Sequence, residues 1–186
     1  MISRAIVLFM LTVGVLAVPS RAAAQTADHP VGITMGYPAS IGLIWHVSDR
    51  VAVRPELSFS HLHGEAESSS GFETESDSWT IGVGASALIY VGEWDKLRAY
   101  VSPRYSYTRA KSSSDSNFPF ETSESKTTSH SFAGYFGAQY ALSDRFSAFG
   151  EVGFGLTDQS GSTGLGTRVS STIWSTRTGV GVIFYF

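Results

Sequence analysis

Residues 146–156 read Phe-Ser-Ala-Phe-Gly-Glu-Val-Gly-Phe-Gly-Leu. The even positions are Phe, Ala, Gly, Val, Phe and Leu, whereas the odd positions are Ser, Phe, Glu, Gly and Gly. Successive side chains of a β-strand point to opposite faces, so this alternation predicts a strand with one apolar face and one polar face.

Five further segments alternate in the same way, at about residues 51–60, 79–91, 97–108, 131–142 and 172–186. Strands of globular proteins usually have about 5–6 residues, whereas a membrane-crossing strand needs about 9–11, so these lengths favour membrane strands. Residues 31–47 supply two more strands in our interpretation, Val31–Tyr37 and residues 41–47, with a tight turn at residues 38–40. The alternative is one long strand, which would make the number of strands odd.

The two faces of the six long segments differ most in charge. The apolar face has 38 positions, of which 31 are Ala, Val, Ile, Leu, Phe, Trp or Tyr and none is Asp, Glu, Lys or Arg. The opposite face has 35 positions with 11 apolar residues and seven glycines, and its charged residues are Arg54, Glu56, Arg98, Arg104, Glu151 and Arg177.

This contrast predicts which face points outward. A soluble barrel would enclose the apolar face, but its water-exposed face would have no need of seven glycines. A charge facing lipid at the bilayer midplane costs about 2–4 kcal/mol, and the narrow lumen of an eight-stranded barrel requires small side chains. We therefore expect the apolar face to contact lipid and the six charged residues to form a lumen charge cluster.

The connections fall into two classes. Residues 48–50, 92–96 and 143–145 are short polar turns, whereas residues 61–78, 109–130 and 157–171 are long and polar. Bacterial outer-membrane barrels have short periplasmic turns and longer extracellular loops. The sequence thus predicts an all-β fold, an eight-stranded antiparallel up-and-down transmembrane β-barrel with the long loops at the cell surface.

The first 24 residues have the pattern of a cleaved signal peptide. Met1 to Arg4 is basic, residues 5–18 are mainly apolar, and Ala22-Ala23-Ala24 supplies small residues for cleavage. We expect residues 1–24 to direct export and residues 25–186 to form the barrel domain. The whole chain has a net charge of −3 and no cysteine, which argues against nucleic-acid binding, disulfides and thiolate metal sites.

The C-terminus carries a more specific pattern. Residues 178–186 read Thr-Gly-Val-Gly-Val-Ile-Phe-Tyr-Phe, in which Val180, Val182 and Phe184 alternate before the terminal Phe186. This resembles the C-terminal signal that outer-membrane barrels present to their assembly machinery. With the signal peptide and the tight turns, the chain resembles small barrels of the OmpA/OmpX type, the group described as the outer membrane protein β-barrel domain.

The resemblance implies residence in the bacterial outer membrane and contact with its lipids, with periplasmic chaperones and with the barrel insertion machinery. The sequence ends at Phe186, so we expect no periplasmic peptidoglycan-binding domain. The oligomeric state does not follow from the resemblance.

Three functional hypotheses follow. The lumen charges predict at least one Glu–Arg contact across the interior and a structural plug, with a narrow ion or small-solute channel as the alternative. The acidic segment 61–77 predicts a structural or surface-interaction role with an unidentified extracellular ligand. A lipid-modifying enzyme is less favoured, because no serine stands in a distinctive motif with a histidine on a facing strand.

The expected site therefore has no catalytic residue, cofactor or metal. His61 and His63 lie near Glu65 and Glu67 in the sequence and could contact His130 to hold zinc or copper. We favour a solvated surface segment instead.

Overall fold

The computed structural model describes residues 30–37, 40–67, 73–117, 120–162 and 167–186, and the predicted signal peptide lies outside these residues. None of the described residues belongs to a helix that is long and apolar enough to cross a membrane. The strands are β1 (Val31–Tyr37), β2 (Ser40–Ser48), β3 (Val51–Glu67), β4 (Glu73–Trp94), β5 (Leu97–Asn117), β6 (Phe120–Ser143), β7 (Phe146–Ser162) and β8 (Arg168–Tyr185).

The eight strands form a closed antiparallel barrel in sequence order. Each strand pairs with the next one in the chain, and β1 pairs with β8 to close the ring. The division of residues 31–47 into two strands is confirmed, because β1 and β2 pair from Val31↔Trp45 to Gly36↔Ser40. The predicted eight-stranded up-and-down barrel is therefore confirmed.

The apolar face points outward, as predicted. Phe59 is 65% exposed and Val152 is 57% exposed, whereas the side chain of Arg54 is completely buried. Arg54, Glu56, Arg98, Arg104, Glu151 and Arg177 all belong to the face that is enclosed by the barrel, since their neighbours of the same parity are the buried residues of each strand.

One end of the barrel has short turns, and we call it the turn end. The strands are joined there by Asp49-Arg50, Asp95-Lys96 and Asp144-Arg145. Asp95 has φ of 45°, a left-handed conformation that Asp and Asn adopt more readily than most residues. The ladder shifts its register close to each turn, between Tyr90 and Gly92 for example, which marks β-bulges.

At the opposite end, the hairpin end, most residues of the predicted loops are paired strands. The β5–β6 ladder continues without a shift to Asn117↔Phe120, the β3–β4 ladder to Glu67↔Glu73 and the β7–β8 ladder to Ser162↔Arg168. The outward-facing apolar residues of the strands, such as those between Phe146 and Leu156 of β7, form a belt that we call the apolar band. The long polar segments extend the strands beyond this band, because backbone pairing continues where the apolar side chains end.

The two prolines inside the strands interrupt the ladder without shifting it. Pro55 pairs with Ala85 on β4, and Pro103 pairs with Gly134 on β6. On the other side of β3 the pairs Gly42↔Glu56 and Trp45↔Val53 share one register, so pairing with β2 skips Arg54 and Pro55 and then resumes. Proline lacks the backbone N–H that a complete ladder needs on both sides.

We predict that Val152→Arg destabilises the barrel in a phospholipid bilayer. Val152 lies near the middle of the outward-facing residues of β7, which run from Phe146 to Leu156. An arginine facing lipid at that depth costs about 2–4 kcal/mol, measurable as a lower free energy of unfolding in urea. Ser160→Arg is the matched control, because Ser160 lies on the same face of the same strand above the apolar band. Equal losses in both variants would contradict the assignment of the outer face.

Candidate functional site

The lumen is filled by apolar and aromatic side chains near the turn end. Seven buried residues pack into one cluster, namely Ile44, Ala52, Leu88, Tyr90, Tyr100, Ile183 and Tyr185. His46 stacks on the Tyr90 ring at 5.7 Å between centroids, and its Nε2 lies 3.2 Å from the Tyr185 hydroxyl. Gln139 accepts a hydrogen bond from the Tyr90 hydroxyl at 3.0 Å and donates one to the Tyr185 hydroxyl at 2.9 Å.

Above this layer, four of the six predicted lumen charges form a ring of ion pairs, which we call the charge ring. Glu151 bridges two arginines, with Oε1 2.7 Å from Nη2 of Arg54 and Oε2 2.7 Å from Nη2 of Arg104. Glu56 bridges the same two, with Oε1 3.1 Å from Nε of Arg54 and Oε2 3.3 Å from Nε of Arg104. Each charge therefore contacts two opposite charges, and the ring is electrically neutral.

Neutral partners support the charge ring. The Tyr100 hydroxyl donates to Glu151 Oε1 at 2.9 Å, and Arg54 Nε lies 3.2 Å from the Ser86 hydroxyl. The guanidinium of Arg54 lies 5.0 Å from the centroid of the Phe149 ring. Because buried charges are tolerated only when they are paired and hydrogen-bonded, these contacts explain how the barrel encloses four ionic groups.

Arg98 and Arg177 lie apart from the charge ring. Arg98 is at the turn end, where it donates to the Asp49 carbonyl oxygen at 2.6 Å and lies 3.7 Å above the Tyr90 ring. Arg177 lies nearer the hairpin end and donates to the hydroxyls of Thr157 and Ser131. Among the described residues, no carboxylate is within ion-pair distance of Arg177, and its Nε has no hydrogen-bond partner.

A cavity of about 490 Å³ lies between the charge ring and the hairpin end. Its lower boundary includes Glu56, Arg104 and Glu151, and Arg177 lies in its wall. The sequence pattern does not indicate this cavity. Alternation assigns a residue to the lumen face, but it does not show at which height the side chains fill the lumen.

His61, His63 and His130, the three histidines considered for a metal site, lie at two separate places on the outside of the barrel. His61 Nε2 is 3.0 Å from Asp77 Oδ2, and His63 Nδ1 is 3.7 Å from the same oxygen. His130 instead lies 2.9 Å from the Tyr105 hydroxyl, on another pair of strands. In the part of the chain that the structure describes, no group of three or more His, Asp or Glu side chains is arranged to hold a metal ion.

We predict that Glu151→Gln lowers the free energy of unfolding by about 3–5 kcal/mol, the usual loss when one partner of a buried ion pair is removed. The Glu151 side chain is only 1% exposed. In the variant, Arg54 and Arg104 would stay charged, and each would lose one of the two carboxylates that it contacts. The measurement is urea unfolding in phospholipid vesicles. The control is Glu75→Gln, whose carboxylate is exposed at the surface and should contribute little. A Glu151→Gln variant as stable as the Glu75→Gln variant would show that the ring does not stabilise the lumen.

We predict a raised pKa for His63, which lies above the apolar band. The hydrogen bond of 3.3 Å to Glu65, together with the nearby Glu75 and Asp77 carboxylates, raises the pKa of His63 above its ordinary value of 6.5. A raised pKa means that the contact stabilises the hairpin fully below pH 6.5 and that this stabilisation is lost as the pH rises through the folded-state pKa.

An NMR titration of the His63 ring measures this pKa directly. Glu65→Gln should return it towards the ordinary value, because the strongest stabilising partner of the protonated ring is then neutral. Glu124→Gln, on the β5–β6 hairpin, should leave it unchanged. If the His63 pKa is the same with and without Glu65→Gln, the hydrogen bond to Glu65 is not the cause of the raised pKa.

Comparisons with known proteins place this architecture in a family. The sequence pattern of the family described as "Outer membrane protein beta-barrel domain" matches residues 9–186. No curated protein sequence matches the chain. A major outer membrane protein from Thermus thermophilus has a similar fold, with a TM-score of 0.58 at 10% sequence identity over 86% of this chain and 100% of that chain.

Two other solved structures match with lower scores. CarO2 from Acinetobacter baumannii has a TM-score of 0.45 at 14% identity over 85% of this chain and 98% of that chain. Ail, the attachment invasion locus protein of Yersinia pestis, has a TM-score of 0.40 at 15% identity over 84% of this chain and 95% of that chain. The family match extends over most of the chain and agrees with the closed barrel and its apolar exterior, so the chain belongs to the outer membrane protein β-barrel domain family and resides in the bacterial outer membrane.

Proposed function

We propose that the protein is a structural, non-conducting barrel that presents a protruding β-sheet for interaction with extracellular polypeptides. The observation that carries this proposal is the unequal length of the strands. The β2–β3 ladder ends at Ser40↔Ser58 and the β1–β8 ladder ends at Tyr37↔Val180, whereas β3 to β8 continue towards the hairpin end. Above the β1–β2 hairpin, the closed barrel therefore becomes an open sheet of six strands.

The open sheet has two edges with unpaired backbone groups. Residues 59–67 of β3 and residues 168–179 of β8 have no neighbouring strand on that side within the described part of the chain. A strand edge binds an extended peptide by adding it to the sheet, with affinity from backbone hydrogen bonds. The edges thus provide a general means of binding extended polypeptides at the cell surface.

The acidic outward face of β3 and β4 supports a basic partner. His61, His63 and Glu65 of β3 lie on the same face as Glu73, Glu75 and Asp77 of β4, because the ladder pairs His63 with Asp77 and Glu65 with Glu75. Residues 61–77 contain five acidic residues and neither lysine nor arginine. A negatively charged face accelerates association with positively charged partners.

The packed lumen supports a non-conducting role over a channel. The charge ring spans β3, β5 and β7, and the aromatic cluster fills the lumen between the ring and the turn end. We expect no conductance steps above baseline when the purified protein is inserted into planar lipid bilayers. Regular steps from the wild-type protein would overturn the non-conducting assignment and favour the narrow channel.

The proposal includes no catalytic step. Within the described residues, His46 and His130 hydrogen-bond to tyrosines, and His61 and His63 to carboxylates. Activation of a serine requires a base within hydrogen-bond reach of its hydroxyl. These contacts therefore favour an interaction role over hydrolysis.

Peptide binding to the protein in phosphatidylcholine nanodiscs tests the surface role. A fluorescent peptide of alternating lysine and threonine should bind, because it is basic and can extend along a strand edge. A peptide of the same length and charge in which prolines replace some threonines should bind more weakly, since proline lacks the donor that strand addition needs. Equal binding of the two peptides would show simple charge attraction and overturn edge recognition.

Two double variants locate the binding face. Glu65→Gln with Glu75→Gln removes two opposed carboxylates beside the β3 edge and should weaken binding of the alternating peptide. Asp115→Asn with Glu124→Gln removes two charges from the β5–β6 hairpin, in the interior of the sheet, and should have a smaller effect. The reverse order of effects would place the binding face elsewhere.

A further inference from the structure

We propose that the cavity above the charge ring binds an amphiphilic organic anion, with its charged head at Arg177 and its apolar chain directed out through a gap in the barrel wall. The gap, which we call the notch, lies beyond the last β1–β2 pair, Gly36↔Ser40, and separates residues 59–67 of β3 from residues 168–179 of β8 in the part of the chain that the structure describes. This inference does not rest on the proposed surface role.

The cavity is closed below, and its walls combine apolar groups with hydroxyl groups. The neutral charge ring and the aromatic cluster block the path to the turn end, so a ligand can come only from the hairpin end or through the notch. Ser58, Thr80 and Ser106 are among the hydroxyl-bearing residues of the wall. The volume of about 490 Å³ lies in the usual range for sites of small organic ligands.

Arg177 gives the cavity its selectivity for anions. The four members of the charge ring compensate one another, whereas no described carboxylate lies within ion-pair distance of Arg177. Its Nε is buried and has no hydrogen-bond partner. An uncompensated guanidinium in a partly enclosed site favours a carboxylate or phosphate, to which arginine can donate two parallel hydrogen bonds.

The notch gives the cavity its preference for an apolar chain. Tyr37, Leu57 and Phe59 line the cavity, yet they are 74%, 64% and 65% exposed. Leu57 and Phe59 belong to the outward face of β3, and they reach the cavity because β2 ends beside Ser58. The cavity lining is therefore continuous with the apolar exterior, so a ligand can keep its head at Arg177 and its chain among apolar groups.

The test uses the full barrel in phosphatidylcholine nanodiscs and four radiolabelled probes. Binding is measured by equilibrium dialysis and corrected with empty nanodiscs. Dodecanoate and dodecyl phosphate should bind saturably, and their relative affinity distinguishes a carboxylate source from a phosphate source. Dodecanol and inorganic phosphate should bind more weakly by a factor of about ten or more, because dodecanol lacks the anionic head and inorganic phosphate lacks the apolar chain.

Variants identify the site. Arg177→Gln should weaken dodecanoate binding about tenfold, the usual effect of losing a charge-assisted hydrogen bond. Arg109→Gln, which removes an exposed arginine from the outward face of β5, should leave binding unchanged. Ser106→Phe, which fills the cavity with a larger side chain without changing its charge, should abolish dodecanoate binding. Heat-modifiable mobility on gels confirms that each variant is folded.

Three results would overturn the proposal. If dodecanol binds as tightly as dodecanoate, the site does not select anions. If inorganic phosphate binds as tightly as dodecyl phosphate, the apolar chain does not contribute to binding. Unchanged dodecanoate binding in folded Ser106→Phe would place any binding outside the cavity. If Arg177→Gln fails to fold, the Ser106→Phe variant and the four probes still decide the question.

Discussion

The pairing of buried charges inside a narrow closed ladder is the constraint on which the rest of this structure depends. A closed ladder leaves each strand residue only two environments, the lipid side and the lumen. Lipid excludes charge from one side, so every ionic group within the apolar band must lie in the lumen, where opposite charges or hydroxyl groups contact it. Glu151 meets this requirement by contacting Arg54 and Arg104 together, each at 2.7 Å. The same contacts that compensate the charges also connect β3, β5 and β7 across the lumen, so charge pairing and the filling of the lumen have one origin.

The sequence was sufficient to predict the face of each residue but not the partners across the lumen. Period-two patterning groups the residues into two faces, and the cost of a charge facing lipid assigns the six charged residues to the enclosed face. The three short turns follow from their polar residues, whereas eight strands also required residues 31–47 to be divided into two strands. That Arg54 contacts Glu151 while Arg177 contacts hydroxyls depends on the stagger between strands and on side-chain reach, neither of which alternation encodes. The extended hairpins were predicted as loops for a related reason. Residues such as 112–116 are polar on both faces, so a paired strand there has no apolar alternation to reveal it.

The short β1–β2 hairpin is the common cause of the two proposed sites. β1 and β2 have 7 and 9 residues, whereas β3 to β8 have between 17 and 24. On the turn-end side of the Gly36↔Ser40 pair, the ladder is closed and is interrupted at Pro55 and Pro103. On the other side of this pair, β3 and β8 have no further neighbours among the described residues, which creates both the strand edges and the notch. A single difference in strand length thus converts a sealed barrel into one with an accessible sheet and an accessible cavity.

The charged groups of the two sites nevertheless lie on opposite faces of the sheet. Glu65 and Glu75 have the outward parity of β3 and β4, whereas Ser58, Ser106 and Arg177 have the lumen parity of their strands. Successive side chains of a strand cannot exchange faces without a shift in register, and the β3–β4 ladder runs without a shift from Val51 to Glu67. The negative surface and the positively charged cavity are therefore separated by the sheet itself. The acidic groups proposed to attract a basic polypeptide and the arginine proposed to bind an anionic head group are therefore different residues on opposite faces, although the free edges of β3 and β8 border both sites.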